Sequence, residues 1–423
     1  MTFSVIRSSQ NIVRPSEYTP SSVLDLSVID KLPALRCNAR TLHVFKHGHK
    51  AAKVIKEALS KALVPYYPLA GKLKESNHGE LQIACTGEGV WFVEASANCG
   101  LDEVNYFDSV AMVPHDDLLP NAPPETEGID PLVLMQVTRF TCEGFVIGLV
   151  FCHSICDGLG AAQFLTAVGE FAQGLQRPSI MPMWHREALT TPQQVKCTSL
   201  TPPPLPPLMP NYNLEHASID VSLERINKLK HEFSILTSKN CSTFEIVAAS
   251  IWSSRIRAIN LEKNTKVRLV FFANTRHHLH PALPEGFYGN CFFPVTVTVS
   301  SGQILEATNV EVVKLIQDAK VKLGGEFTKW ITDEDVKHGQ DPFAPPLDYT
   351  TLFISEWGRL GFNQVDYGWG PPVHVVPIQG SGVIPVGIVG LPPIPKKGVR
   401  LMTWCVEKID LPSLLVQMKM NLA

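Results

Sequence analysis

Residues 145–158 read FVIGLVFCHSICDG. Eight apolar or small residues run unbroken up to His153, and Asp157 follows four positions later. A continuous apolar run of this length predicts a strand buried on both faces. GLGAAQFLTAVGEFAQGL, from Gly158 onward, predicts a helix opened by small residues. His153 and Asp157 therefore fall on a strand-to-helix connection, where a rigid scaffold commonly holds reactive side chains. An imidazole, with an ordinary pKa of about 6.5, suits removal of a proton from an alcohol or amine. The residues alone leave two readings of each side chain open. His153 is either a base or a packing residue at a strand end. Asp157 either orients the imidazole directly or locks the loop by pairing with a cation elsewhere.

Outward from this stretch, the chain divides. Seven of its 33 prolines fall between Pro192 and Pro210, in TTPQQVKCTSLTPPPLPPLMPNYN. Such a segment can be neither a helix nor a central strand. It predicts an extended linker over 190–213 between domains 1–189 and 214–423. The two parts share a grammar. In the first, HKAAKVIKEALSKALVPYYPLAG predicts an amphipathic helix with Ala51, Val54, Ile55, Ala58, Leu59, Ala62 and Leu63 on one face. LQIAC, VWFVEAS and LVLMQVTRF predict strands. In the second, STFEIVAASIWSSRIRAI predicts a helix capped by Ser242 or Thr243, with Glu245 in its first turn. VRLVFFAN, CFFPVTVTVS, YTTLFISEW and VIPVGIVGL predict strands, and NVEVVKLIQDAKVKL a helix. The fold class is α/β in the broad sense (α+β), with mixed sheets in both domains.

The 423 residues carry a net charge of −3 and no basic block, so no nucleic-acid footprint is visible. Ten cysteines lie scattered without CxxC pairs, several inside apolar runs (Cys142, Cys152, Cys291), which predicts buried reduced thiols. The N-terminus lacks a signal-peptide core, the C-terminal NLA is no peroxisomal address, and no apolar run is long enough to span a bilayer. The expectation is a soluble, cytoplasmic monomer with no membrane or nucleic-acid partner. His277, His278 and His280 lack the spacing of helical zinc ligands, so no metal is expected.

Two further features carry a resemblance. HSICDG precedes a Gly/Ala-rich helix, and far downstream YTTLFISEW leads to RLGFNQVDYGWGPP. Asp366-Tyr367-Gly368-Trp369-Gly370 is similar to the DFGWG signature of plant BAHD acyltransferases, and His153 to Asp157 resembles their HxxxD. YYPLAGKL, CTGEGVWFVEA, CSTFEIVAASIW and FYGNCFFPV extend the resemblance over nearly the whole chain. Tyr367 replaces the usual Phe. The blocks around 276 and 366 look most like the hydroxycinnamoyl-CoA:monolignol transferase branch.

The resemblance implies two chloramphenicol-acetyltransferase-like domains with a channel between them, entered by acyl-CoA and acceptor from opposite mouths. Acyl-CoA is a co-substrate, and no cofactor is bound. His153 is implied to be the general base, with Trp369 donating its indole N–H to the tetrahedral oxyanion. Asp157 is implied to pair with Arg276 of the second domain. Asp366 is placed in the catalytic set, with a structural part favoured, and Gly368 and Gly370 shape its turn. Ser242 and Thr243, at a helix N-terminus, are candidates for CoA oxygens, and Lys396-Lys397 for its phosphates or a solvated turn. Trp357 and Phe362 either line the acyl channel or merely pack. The expected reaction is transfer of an aromatic acyl group, hydroxycinnamoyl or benzoyl, to a small alcohol such as a monolignol. Acetyl transfer and amine acceptors are the alternatives within the family. An acyl-CoA-binding protein or a thioesterase is the alternative outside it; no GxSxG elbow supports the thioesterase.

Overall fold

The computed structural model describes residues 3–77, 79–109, 113–124, 130–190, 210–332, 341–378 and 383–422. Most of the expected linker, 191–209, lies outside these residues. The first part of the chain lays down strands β1 (Val5–Val13), β2 (Val23–Asp25), β3 (Asn38–Phe45), β4 (Lys72–Glu75), β5 (Leu81–Ala84), β6 (Val90–Ala97), β7 (Val133–Arg139) and β8 (Phe145–Cys152). Its helices are α1 (Ala51–Ala62), α2 (His115–Leu118) and α3 (Gly158–Ala172). The second part supplies β9 (Leu214–Ser222), β10 (Lys266–Asn274), β11 (Phe292–Ser300), β12 (Thr351–Glu356), β13 (His374–Pro377), β14 (Val386–Gly390) and β15 (Gly398–Glu407). Its helices are α4 (Leu223–Thr237), α5 (Thr243–Ile259), α6 (Ser301–Glu306), α7 (Asn309–Thr332) and α8 (Leu411–Asn421).

Two six-stranded mixed sheets dominate. The first runs β1-β6-β7-β8-β3-β13 and the second β11-β10-β12-β14-β15-β9; β2, β5 and β4 form a small third sheet. Every residue of β8 is buried, which is why its sequence shows no alternation. One face of the first sheet packs on α1 and α3, where Ile55, Leu59, Phe164 and Val168 meet Phe145, Ile147 and Phe151. Its other face meets the second sheet: Leu42, Val44, Val146 and Val150 share a core with Ile388 and Met402. The far face of the second sheet is covered by α5 and α7.

The separation of the two parts is incomplete. His374–Pro377 of the second part pairs antiparallel with Thr41–Val44, so β13 is an edge strand of the first sheet. Cys142 also departs from expectation: it is exposed, whereas Cys152 and Cys291 are buried. It lies in the turn joining β7 to β8, where the flanking strands and not the turn carry the apolar pattern. No helix among the described residues is long and apolar enough to cross a membrane.

Candidate active site

His153 is the first residue beyond β8. The pairing of β8 with β3 puts Cys152 opposite Asn38, and the next rung is a single bond, the His153 amide donating to the Cys37 carbonyl at 2.9 Å. The chain then turns through Ser154–Cys156 into α3. Asp157 caps that helix, its Oδ1 accepting from the Gly160 amide at 3.0 Å. The same carboxylate takes Arg276 in a two-pronged pair, Nη1 to Oδ2 at 2.8 Å and Nη2 to Oδ1 at 2.9 Å. It also accepts from the Cys291 amide at 3.2 Å. Burial works against the Arg276 charge, but the Asp157 carboxylate outweighs it and holds the guanidinium above its ordinary pKa.

Asp157 therefore ties three segments together and makes no bond to the imidazole. His153 Nδ1 is buried and has no hydrogen-bond partner among the described residues. The two readings of Asp157 left open by the sequence are thus separated by geometry: its oxygens face a cation and two amides. Gly160 is required here because a Cβ would lie 1.9 Å from the Tyr288 carbonyl oxygen. Its absence lets α3 seat against the segment that carries Cys291.

A second buried ion pair holds the loop from the other side, and sequence reasoning missed it. Asp30, wholly buried, accepts from Arg186 Nε at 3.1 Å. Asp30 Oδ1 accepts from the Asn290 side chain at 2.7 Å, and Asn290 Nδ2 also donates to the His153 carbonyl at 2.8 Å. Arg186 Nη2 donates to the Ile155 carbonyl, while its guanidinium lies 3.7 Å from the Trp184 ring centre. Ser154 Oγ donates to the Leu35 carbonyl at 2.9 Å. Asn290 lies within FYGNCFFPV, a stretch noted in the sequence without a role for any residue. Asp30 and Arg186 have no local pattern, since only packing brings them together.

The aromatic–glycine signature sits elsewhere. Asp366 Oδ1 accepts from the amides of Gly368 (2.7 Å), Trp369 (3.0 Å) and Gly370 (2.9 Å). Gly368 and Gly370 have φ of +101° and +91°, which side-chain-bearing residues rarely adopt. The Trp369 ring packs edge-on against Phe145, centroids 5.8 Å apart, at the start of β8. His153 follows the other end of that strand, roughly 25 Å away for eight residues at the usual rise. The Asp366 carbonyl likewise meets Gly169 and Gln173 at the C-terminal end of α3, whereas Asp157 caps its N-terminus. Trp369, Asp366, Gly368 and Gly370 are therefore placed away from His153. They form a turn that closes the far end of the α3–β8 layer.

Phe362 packs inside the first core. It is buried on the helix side of the first sheet, its ring edge-on to His43 at 5.3 Å. The Trp357 ring lies tilted beside it, centroids 5.8 Å apart, and is partly buried between two cores. The ring that meets His153 is instead Phe292, at 6.4 Å and 74°. Ser242 caps α5 in a reciprocal box with Glu245: the Glu245 amide donates to Ser242 Oγ (3.1 Å), and the Ser242 amide donates to Glu245 Oε2 (2.9 Å). This arrangement uses the hydroxyl oxygen as acceptor and not its O–H as donor. Thr243 is the first residue of the helix. Lys396 is exposed just after a turn, and its ammonium is bonded to Asp108 (2.7 Å) and Asp220 (3.2 Å), beside Arg400, which pairs with both.

The chain matches the family model described as the Transferase family over residues 3–407. It is 44% identical to Acyl transferase 4 of Oryza sativa subsp. japonica, with 99% of each chain covered. It is 41% identical to a myricetin 3-O-glucosyl 1,2-rhamnoside 6'-O-caffeoyltransferase of Crocosmia x crocosmiiflora, covering 96% of this chain and 97% of that one. Among solved structures it is similar to vinorine synthase, with a TM-score of 0.73, 20% identity, and 99% and 98% of the two chains covered.

Proposed function

The chain belongs to the BAHD family of acyl-CoA-dependent acyltransferases, and from that premise we propose that it transfers an aromatic acyl group, hydroxycinnamoyl or benzoyl, to the hydroxyl of a small alcohol such as a monolignol, with His153 as general base. One observation carries the assignment of the base. The carboxylate of the HxxxD segment is saturated by Arg276 and backbone amides, so of the two signature side chains the imidazole is the one left to exchange a proton with substrate. The similarity to a caffeoyltransferase supports the aromatic donor.

In this reading the division at 190–213 separates domains 1–189 and 214–423, and donor and acceptor approach His153 through the space between the two large sheets. His153 takes the hydroxyl proton as the oxygen attacks the thioester carbonyl. The C–S bond then breaks, and the proton passes to the departing CoA thiolate. The thioester is already activated, so the main tasks of the protein are to position the two substrates and receive the proton. Ser242 and Thr243 remain our candidates for contacts to CoA.

A matrix of acetyl-, benzoyl-, p-coumaroyl- and feruloyl-CoA against alcohols and amines, read by CoA release, tests the proposal. The highest kcat/KM is expected for an aromatic acyl-CoA with an alcohol. Preference for acetyl-CoA, or for an amine, would refute the donor or the acceptor assignment. CoA release that needs no acceptor would refute transfer itself.

A further inference from the structure

The two large sheets touch over only part of their facing surfaces. Near β14 and β15 they share a closed core. Towards β10 and β11 the same face of the second sheet opens. On that face Val270, Phe353 and Val386 line up across three strands by register. Phe272, two residues beyond Val270, must point the same way, yet it is 44% exposed. Phe292 stands opposite Asn274, and Phe272 opposite Pro294, so both rings share this face.

The rings form a line. Phe292 is 6.4 Å from the His153 ring at 74°, and Phe272 is 5.3 Å from Phe292 at 74°. Both are edge-to-face pairs within the preferred range of separations. The line therefore runs from the proposed base to solvent, ending in a phenylalanine that the free protein leaves partly hydrated. Leaving a large apolar ring in water is unfavourable, and a ligand that covers it recovers that cost.

We infer that Phe292 and Phe272 form an aryl-recognition wall, which receives the planar ring of one substrate and thereby sets its reacting atom beside His153. The inference rests on the acyl-transfer reading and deepens it by naming the residues that select an aromatic partner. A hydroxycinnamoyl donor and an arylalkyl alcohol share this chemistry, a ring a few atoms from the reacting centre.

The test compares the full-length protein with Phe272→Ala and Phe292→Leu. Each is assayed with p-coumaroyl-CoA and acetyl-CoA, against benzyl alcohol and its saturated analogue cyclohexylmethanol. Phe272 is exposed enough for its variant to fold, which a thermal melt checks. Loss of one edge-to-face ring contact is expected to lower kcat/KM on the order of tenfold for pairs containing the recognised ring. Acetyl-CoA with cyclohexylmethanol should be the least affected of the four pairs, as it carries no ring to recognise. Losses that follow p-coumaroyl-CoA with either alcohol assign the wall to the donor. Losses that follow benzyl alcohol with either donor assign it to the acceptor. Equal losses in all four pairs, or none, overturn the inference.

Equilibrium titration of the same four ligands, without turnover, separates the two readings. Tighter binding of the aromatic member that depends on Phe272, in a protein that turns over no pair, would sink the acyl-transfer reading and leave the wall standing. Binding indifferent to both substitutions would remove the wall.

Discussion

His153 and Asp157 are four residues apart and do different work. The carboxylate is consumed by Arg276 and two backbone amides, and the imidazole lies beside Phe292 with its Nδ1 unbonded among the described residues. His153→Ala should therefore lower transfer roughly 10²–10⁴-fold, the usual worth of a general base, while p-coumaroyl-CoA still binds in a calorimetric titration. Residual activity within tenfold of wild type would contradict the assignment. Trp369→Phe is expected to keep kcat within a few-fold, since that ring packs on Phe145 at the far end of β8; a loss as large as that of His153→Ala would restore the indole to the reaction. Tyr367, where the family usually has Phe, is buried between Phe45 and α3, and its hydroxyl has no partner among the described residues. A buried hydroxyl without a partner costs about 1–3 kcal/mol. Tyr367→Phe should accordingly raise the denaturation midpoint or leave it unchanged, and a clear drop would mean that the hydroxyl is satisfied.

At the scale of elements, Asp157 is a junction. It caps α3, pairs with the residue that follows β10 and its connecting turn, and accepts from the amide just before β11. Asp157→Asn keeps the size of the side chain and removes the charge that Arg276 needs. Breaking a buried pair on one side costs about 3–5 kcal/mol; Arg276 is partly exposed, so the lower part of that range is expected. Stability and kcat should fall together, because the same loop carries His153. Chemical denaturation with parallel kinetics checks this, and unchanged stability with lost activity would point instead to a direct catalytic part for Asp157. The helices and strands themselves were largely legible. The unbroken apolar run of β8, the small residues of α3 and the Ser242 box of α5 all carry local signals. β13 carries none: HVVP is too short to show a period, and its place at the edge of the first sheet depends on a long return of the chain.

Two histidines among the described residues, His43 and His374, are buried. Burial pushes His43 down to about 3, and burial together with the nearby Arg400 charge pushes His374 down to about 4. Both are neutral in the fold, whereas the unfolded chain protonates them below about 6.5. Between that value and the depressed ones the unfolded state binds more protons, so stability falls as pH is lowered. Above about 6.5 neither group contributes. The melting temperature should thus be flat from pH 7 to 8 and drop below pH 6.5, as stability falls by up to about 1.4 kcal/mol per pH unit for each histidine. His43→Gln is expected to flatten part of that slope; an unaltered slope would remove His43 as its source.

What the sequence determined by itself is whatever rests on neighbours along the chain: the buried strand ending at His153, the helix behind it, and the aromatic–glycine turn at Asp366. What only tertiary structure decided is distance. The resemblance set Trp369 beside His153, yet about one β-strand length separates them in space. Asp30, Arg186 and Asn290 carry no pattern, yet they close on the loop of His153 from segments more than 100 residues apart. A buried charge leaves no periodic trace, and its partner is selected by packing and desolvation across sheets, not by spacing along the chain. The same holds for Phe272 and Phe292, whose shared face follows from the β10–β11 register and whose exposure follows from where the two sheets part.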